Sequence, residues 1–256
     1  LSAAKNWGGG ENHIENLCFE LQDIDKKIKN IILCVRNASF HQKIKEKDFH
    51  VVIAPMLIKL DLRYTAKILW VCKKYDIDLI HIHDSTALAL AVMATKLGKL
   101  PPFILSKKTS FPIKDRPRTL YKYNHPQIQK ILCVSEKTKE VTSTSLNDTS
   151  KLVTVYHGTR IDKSEKASIK LREKLNISKD KIIVGTIANH IRAKNLKTWV
   201  KLIEEIIHHK KDKRFHFVQI GSFTDRSQTY IDLINELNLE SHVSFLGFIP
   251  YRNPIS

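Results

Sequence analysis

Short aliphatic and β-branched runs alternate with amphipathic stretches along almost all of this 256-residue chain. That rhythm predicts βα units, each strand buried in a parallel sheet and each helix burying one stripe. Strands are expected at 30–35, 50–53, 78–83, 103–106, 130–134 and 152–156, and helices at 10–22, 60–75, 85–97, 117–123 and 136–145. After Tyr156 the alternation gives way to His157-Gly158-Thr159-Arg160-Ile161-Asp162 and a charged helical stretch at 163–175. It then resumes with strand 182–186, helix 196–209, strand 215–220, helix 226–237 and strand 243–245. Two doubly wound α/β domains are therefore expected, at 1–162 and 163–256. The second has three strands where a sheet usually has about 5–6, so it is expected to be incomplete. The first is expected to lack its initial strand, because Leu1-Ser2-Ala3-Ala4-Lys5 is not a strand-like run.

Composition narrows the class without choosing within it. Hydrophobic residues make up 42% of the chain, enough for ordinary cores, and no apolar run reaches membrane-spanning length. Without a signal-peptide pattern the expected location is cytoplasmic. Cys18, Cys34, Cys72 and Cys133 sit singly in apolar runs, which suits buried free thiols better than disulfides or a zinc site. Three glycosylation sequons, at Asn37, Asn147 and Asn176, are read as chance. The formal charge of +17 admits nucleic acid, anionic lipid or phosphorylated substrates as partners. The lysines are dispersed, and most are expected on solvated helix faces. Trp70, Phe215 and Phe245 stand at core-like positions.

Four segments carry candidate chemistry. Gly8-Gly9-Gly10-Glu11 opens an amphipathic stretch whose Ile14, Leu17, Cys18 and Leu21 recur at helical spacing. A glycine turn there would present bare N–H groups and the positive helix end to an anion. Asp78-Leu79-Ile80-His81-Ile82-His83-Asp84-Ser85 is a buried strand running into a helix. His81 and His83 share a face, Asp84 or Ser85 can cap, and His83 lies at the carboxyl end of the strand where ligands sit in open α/β sheets. For His81 structural hydrogen bonding is expected, and no metal site is expected. Ser106-Lys107-Lys108-Thr109-Ser110 follows the next strand with two cations. In the second domain, Val184-Gly185-Thr186-Ile187-Ala188-Asn189-His190-Ile191-Arg192-Ala193-Lys194-Asn195 is the first strand-to-helix turn. It brings Arg192 and Lys194 to a helix start that Asn195 can cap, which suits a diphosphate leaving group. Gly221-Ser222 follows the neighbouring strand.

In this order the segments resemble the retaining, nucleotide-sugar-dependent GT-B glycosyltransferases of the "group 1", family 4-like type, which includes bacterial lipopolysaccharide, capsule and exopolysaccharide transferases. The resemblance covers nearly the whole chain. It implies two Rossmann-like domains facing a cleft, acceptor on the amino-terminal side and donor on the other. It further implies catalytic positions at His83 and Lys108, and donor-diphosphate contacts from Lys194, Arg192, Gly9 and Gly10. Gly221 and Ser222 would line the nucleotide pocket, with a hinge at His157 and Gly158. The family arginine falls on Asn189, and Asn195 replaces a usual glycine. The paired glutamates of the family lie further on; Glu165 and Glu173 match their spacing by coincidence. No cofactor is expected beyond a UDP- or GDP-linked donor sugar. The acceptor would be a glycan or a lipid-linked glycan, with attachment to the inner face of the cell membrane. A sugar-nucleotide epimerase or phosphorylase is the alternative within the fold, and a basic nucleic-acid-binding protein the distant one outside it.

Overall fold

The computed structural model describes residues 1–158 and 170–249. The chain divides into two compact units, Leu1–Ile161 and Asp162–Ser256. The expected crossover from Thr159, the boundary at 162/163, Glu165 and the start of the charged stretch lie outside the described residues.

In the first unit the order is α1 (Gly9–Ile24), β1 (Ile31–Val35), α2 (Ser39–Ile44), β2 (His50–Ala54), α3 (Leu62–Lys74), β3 (Ile80–Ile82) and α4 (Ser85–Ala94). Then come β4 (Phe103–Lys107), α5 (Pro117–Tyr123), β5 (Ile128–Cys133), α6 (Glu136–Ser143) and β6 (Leu152–Thr154). Every strand pair is parallel, in two ladders ordered β1-β2 and β3-β4-β5-β6. Parallel neighbours need crossover connections, and the helices supply them.

The strand period of two sorts the core into two layers. On β1, Ile32 and Cys34 face a cluster with Ile14 and Cys18 of α1 and Phe40 and Ile44 of α2. Leu33 and Val35 face the larger cluster, with Tyr64, Ile68 and Val71 of α3, the apolar face of α4, and Phe103 and Leu105 of β4. Helix α4 is apolar nearly all round, with Ala87, Leu88, Leu90, Ala91 and Ala94 fully buried, as a helix inside a core must be. Asp84 caps it, accepting from Thr86 N and Ala87 N at 3.0 and 2.8 Å.

The first residues join the two ladders. Ser2 N donates to Leu33 O of β1, and His83 N donates to Leu1 O; the Leu1 amino group donates to His81 O at 2.7 Å. The buried Tyr64 hydroxyl donates to Ser2 O at 2.7 Å. Beside them β1 and β3 border a cavity of about 1360 Å³.

The second unit holds α7 (Leu171–Lys174), β7 (Ile182–Ile187), α8 (Leu196–Glu204), β8 (Phe215–Ile220), α9 (Ser227–Glu236) and β9 (Val243–Phe245). Its ladder is parallel in the order β7-β8-β9. Helix α8 continues into a π-helical turn, Glu205–His209, and Val200, Ile203 and Ile207 pack on Phe217, Ile234 and Leu239. Cys18, Cys34 and Cys133 are buried free thiols, while Cys72 is half-buried. Trp70 departs from expectation: it is 43% exposed, because α3 buries the Tyr64, Ile68 and Val71 stripe and Trp70 lies off it.

Candidate functional site

In the first unit the glycine turn behaves as its residue types dictate. Gly8 is the extended N-cap of α1, with no side-chain cap. The anion nearest this helix start is the chain's own. The Glu11 carboxylate accepts backbone hydrogen bonds from Gly8 and Glu11, while burial raises its pKa. A cation answers it from the residue after β4, where Lys108 Nζ donates to Gly10 O at 2.9 Å. Burial lowers that ammonium's pKa to about 8, against the attraction of Glu11 and Asp84. Lys107 is spent differently. It is buried and donates to Phe111 O at 2.9 Å, folding the loop after β4.

Histidines gather beside this turn. His81 Nε2 lies 2.8 Å from Ser106 Oγ, the structural bond expected of it. The His81 and His83 rings lie 4.1 Å apart, and His13 of α1 stacks on His157 at 3.7 Å. His83 is buried and its Nδ1 has no hydrogen-bond partner among the described residues. Burial lowers the pKa of all of them, of His13 to about 4 and of His81 to about 3, with neighbouring positive groups adding to it. His83 is lowered further for the same reason. A neutral His83 can exchange hydrogen bonds with a substrate hydroxyl, but is not a source of positive charge at neutral pH.

The two residues expected as a hinge, His157 and Gly158, line a cavity of about 500 Å³ within this unit. Leu17, Leu132 and Val155 make its apolar wall, and Asn16, Glu20 and Tyr156 its polar groups. That size and mix suit a small ligand held by a few placed polar groups.

The second unit builds its turn on a buried polar network. Gln219, in the middle of β8, donates through Nε2 to Ala188 O at 2.6 Å and Ile220 O at 3.0 Å. Its Oε1 is then left to accept from His190 Nε2 at 2.6 Å. This assigns the tautomer, so His190 Nδ1 accepts from the Ser227 hydroxyl at 2.8 Å. His190 is fully buried, among Phe223, Tyr230 and Phe245. The network anchors the turn after β7 to β8 and α9.

Around this anchor the expected residues take distinct places. Asn189, where the family arginine would stand, accepts from Ser222 N at 3.0 Å through Oδ1. Ser222 O accepts from His190 N, so Ser222 ties the two turns together. Gly221 has φ of 157°, and a Cβ there would lie 2.0 Å from Ala188 O; no other residue fits. Arg192 and Lys194 occupy an exposed 3₁₀ turn, and neither side chain has a hydrogen-bond or ion-pair partner among the described residues. Asn195 follows with φ 45° and ψ 50°, in the left-handed region. Asparagine is the side chain that best tolerates this conformation after glycine, so it can stand where the resemblance expects a glycine. Asn195 does not cap α8 as expected; its Nδ2 donates to Thr198 Oγ1 at 2.8 Å.

The structure thus groups Gly10, Lys108 and His83 in one unit, and Arg192, Lys194, Gly221 and Ser222 in the other. Glu11, His13 and the His190–Gln219–Ser227 network take part in these sites without a sequence motif that marks them. A glutamine inside the apolar run Phe215–Ile220 was the one available signal. Among the described residues no group of three His, Cys, Asp or Glu side chains could hold a metal ion, and no helix is long and apolar enough to cross a membrane.

Comparison with solved structures agrees with this architecture. HepE from Anabaena, solved with UDP, superimposes with a TM-score of 0.75 at 16% identity, over 99% of this chain and 68% of that one; it has also been solved with UDP-glucose. The lipopolysaccharide outer core galactosyltransferase WaaB gives 0.64 at 16% identity, over 97% of this chain and 66% of that one. A UDP-forming α,α-trehalose-phosphate synthase from Burkholderia vietnamiensis gives 0.62 at 14% identity, over 98% and 73%. These likenesses establish the fold, parallel α/β units in succession as in GT-B proteins. No curated protein sequence matches the chain. The model of Glycosyltransferase Family 4 matches residues 7–163, more than half of the chain, and the protein belongs to that family.

Proposed function

We propose that this glycosyltransferase moves a hexosyl unit from a UDP-linked sugar to a hydroxyl of a glycan or lipid-linked glycan, with retention, in the synthesis of a bacterial surface polysaccharide. The observation that carries the donor side is the exposed Arg192–Lys194 turn, whose two cations are unpaired among the described residues and stand at the start of α8. A departing diphosphate develops negative charge as the glycosidic bond breaks. Fixed cations and helix-start N–H groups, already oriented, stabilise it without reorganisation. The relatives support the donor class, HepE having been solved with UDP-glucose, and WaaB, a galactosyltransferase of lipopolysaccharide, supports the surface-glycan setting. On the acceptor side we assign the cavity beside α1, lined by His13, His81 and His157, with neutral His83, its ring 4.1 Å from that of His81, as hydrogen-bond partner of the reacting hydroxyl and Lys108 holding the first turn of α1. An anionic membrane surface would present a lipid-linked acceptor.

The test is donor turnover and product analysis with UDP-glucose and UDP-galactose, with and without a glycan acceptor. Transfer that depends on acceptor and retains the anomeric configuration supports the reading. A product formed equally without acceptor points to epimerase or phosphorylase chemistry instead. Loss of turnover in Lys194→Ala but not in Lys201→Ala, an exposed lysine of α8, locates the diphosphate.

A further inference from the structure

We infer that the loop after β2 and the outer face of α3 form the surface by which this protein docks on an anionic lipid bilayer; this rests on the membrane setting proposed above and names the residues responsible. Leu57, Ile58, Leu60, Leu62 and Trp70 are between 43% and 76% exposed. Single exposed apolar residues are ordinary, but a contiguous set on one face marks an interaction surface. Leu62, Ala66 and Trp70 are spaced four apart along α3 and all exposed, so they form one stripe opposite the buried Tyr64, Ile68 and Val71. Leu57, Ile58 and Leu60 lie exposed on the loop that leads directly into that stripe.

The loop is held in place. Asp61, itself buried, accepts from Leu57 N at 2.9 Å and Arg63 N at 3.0 Å, and caps α3. The Arg63 guanidinium bonds both its oxygens, at 3.0 and 2.7 Å, and holds the carboxyl below the usual carboxylate range. A buried carboxylate is thus committed to fixing a loop that displays leucine and isoleucine to solvent.

Charge selects the occupant. From Leu57 to Lys74 the basic residues are Lys59, Arg63, Lys67, Lys73 and Lys74, and the single acid is Asp61, which Arg63 already neutralises. Lys67 and Lys74 flank Trp70, with Nζ 4.1 and 4.5 Å from the ring centroid. An apolar stripe with an aromatic ring, bordered by lysines, is the pattern of a helix lying in the headgroup plane. A protein partner or a second copy of the chain would need acidic groups to meet this border, and the chain's own surface is strongly basic.

The experiment is sedimentation of the full chain with vesicles of phosphatidylcholine alone or mixed with phosphatidylglycerol. The chain is compared with Leu57→Ser/Ile58→Ser/Leu60→Ser and Lys59→Glu/Lys67→Glu, at exposed positions except Lys67, which is half-buried. The chain should partition onto anionic vesicles and not neutral ones. Each variant should lose at least about tenfold in partitioning, since a lysine near such a surface contributes about 1 kcal/mol, roughly fivefold. Unchanged binding by both variants overturns this assignment while leaving the membrane setting intact. No binding by the unaltered chain overturns both. A dimer in light scattering that the serine variant abolishes shows a second copy to be the occupant and likewise overturns it. Thermal shift with UDP-glucose, measured without vesicles, follows the transferase reading separately and shows that the variants fold.

Discussion

The two units place positive charge at strand-to-helix turns, but they treat it in opposite ways. At the start of α1 the charge is internally settled, with Glu11 over the helix start, Lys108 on the Gly10 carbonyl and the surrounding histidines held neutral. At the turn before α8 the backbone is tightly anchored through His190, yet Arg192 and Lys194 remain unpaired among the described residues and exposed. A self-neutralised turn suits recognition by shape and hydrogen bonding. An anchored turn with uncompensated cations suits recognition of a polyanion, because the cations need no rearrangement when charge develops.

This contrast can be broken by measurement. The largest effect is expected from Lys194→Ala, which should lower turnover of a UDP-sugar by about 10²–10³-fold, the range for losing one charge-stabilising donor. Lys108→Ala should act less on turnover than on stability. Equal losses of turnover from the two variants would erase the distinction between the turns. Next comes Gly221→Ala. Its methyl must push the β8 turn from Ala188, and thermal unfolding of the second unit should show a loss of about 2–4 kcal/mol. Lys108→Met leaves the Gly10 carbonyl without its donor and Glu11 without its cation, with an expected cost of about 1–3 kcal/mol. Combining it with Glu11→Gln should recover part of that loss, and strict additivity in the double mutant would mean the two groups are not coupled.

Acid should expose the same asymmetry. His13 and His81 have folded pKa values near 4 and 3, below their ordinary 6.5. The unfolded chain therefore binds more protons between these values, and stability present above about pH 6.5 is lost as pH falls through that window. Urea midpoints should drop between pH 6.5 and 4, and His81→Asn should flatten the curve. A midpoint independent of pH over this range would contradict the buried neutral cluster. The smallest effect is expected at Asn195. Glycine there should be nearly neutral, whereas Asn195→Val forces a β-branched side chain into the left-handed region at about 1–2 kcal/mol.

The strands were legible because parallel sheets demand apolar runs buried on both faces, and their order carried the fold and the family resemblance. Helix α2 was not foreseen. It is six residues long and held by Phe40 and Ile44 against α1 and β1, a tertiary support that local periodicity does not reveal. Trp70 was placed in the core on residue type, although the spacing of Tyr64, Ile68 and Val71 already set it off the buried stripe. Glu11 was visible as a letter but not as the anion at its own helix start, since that depends on backbone approach at Gly8. His190 looked like one more polar residue in a basic loop. Its role became visible only when β8 brought Gln219 beside it, from 29 positions away.

The backbone bonds from Leu1 and Ser2 to β1 and β3 also set an order of events during synthesis. Domains emerge from the ribosome amino end first, and α1, β1, α2 and β2 can gather around Ile14, Cys34 and Phe40 from near neighbours alone. Joining that layer to the other ladder must wait until His81 and His83 have been made, 80 or more positions later. Contacts of such separation form slowly. Until then the side of the Leu1–Ser2 segment that meets β3 is open, which makes the nascent first unit the stage at which a chaperone has most to shield.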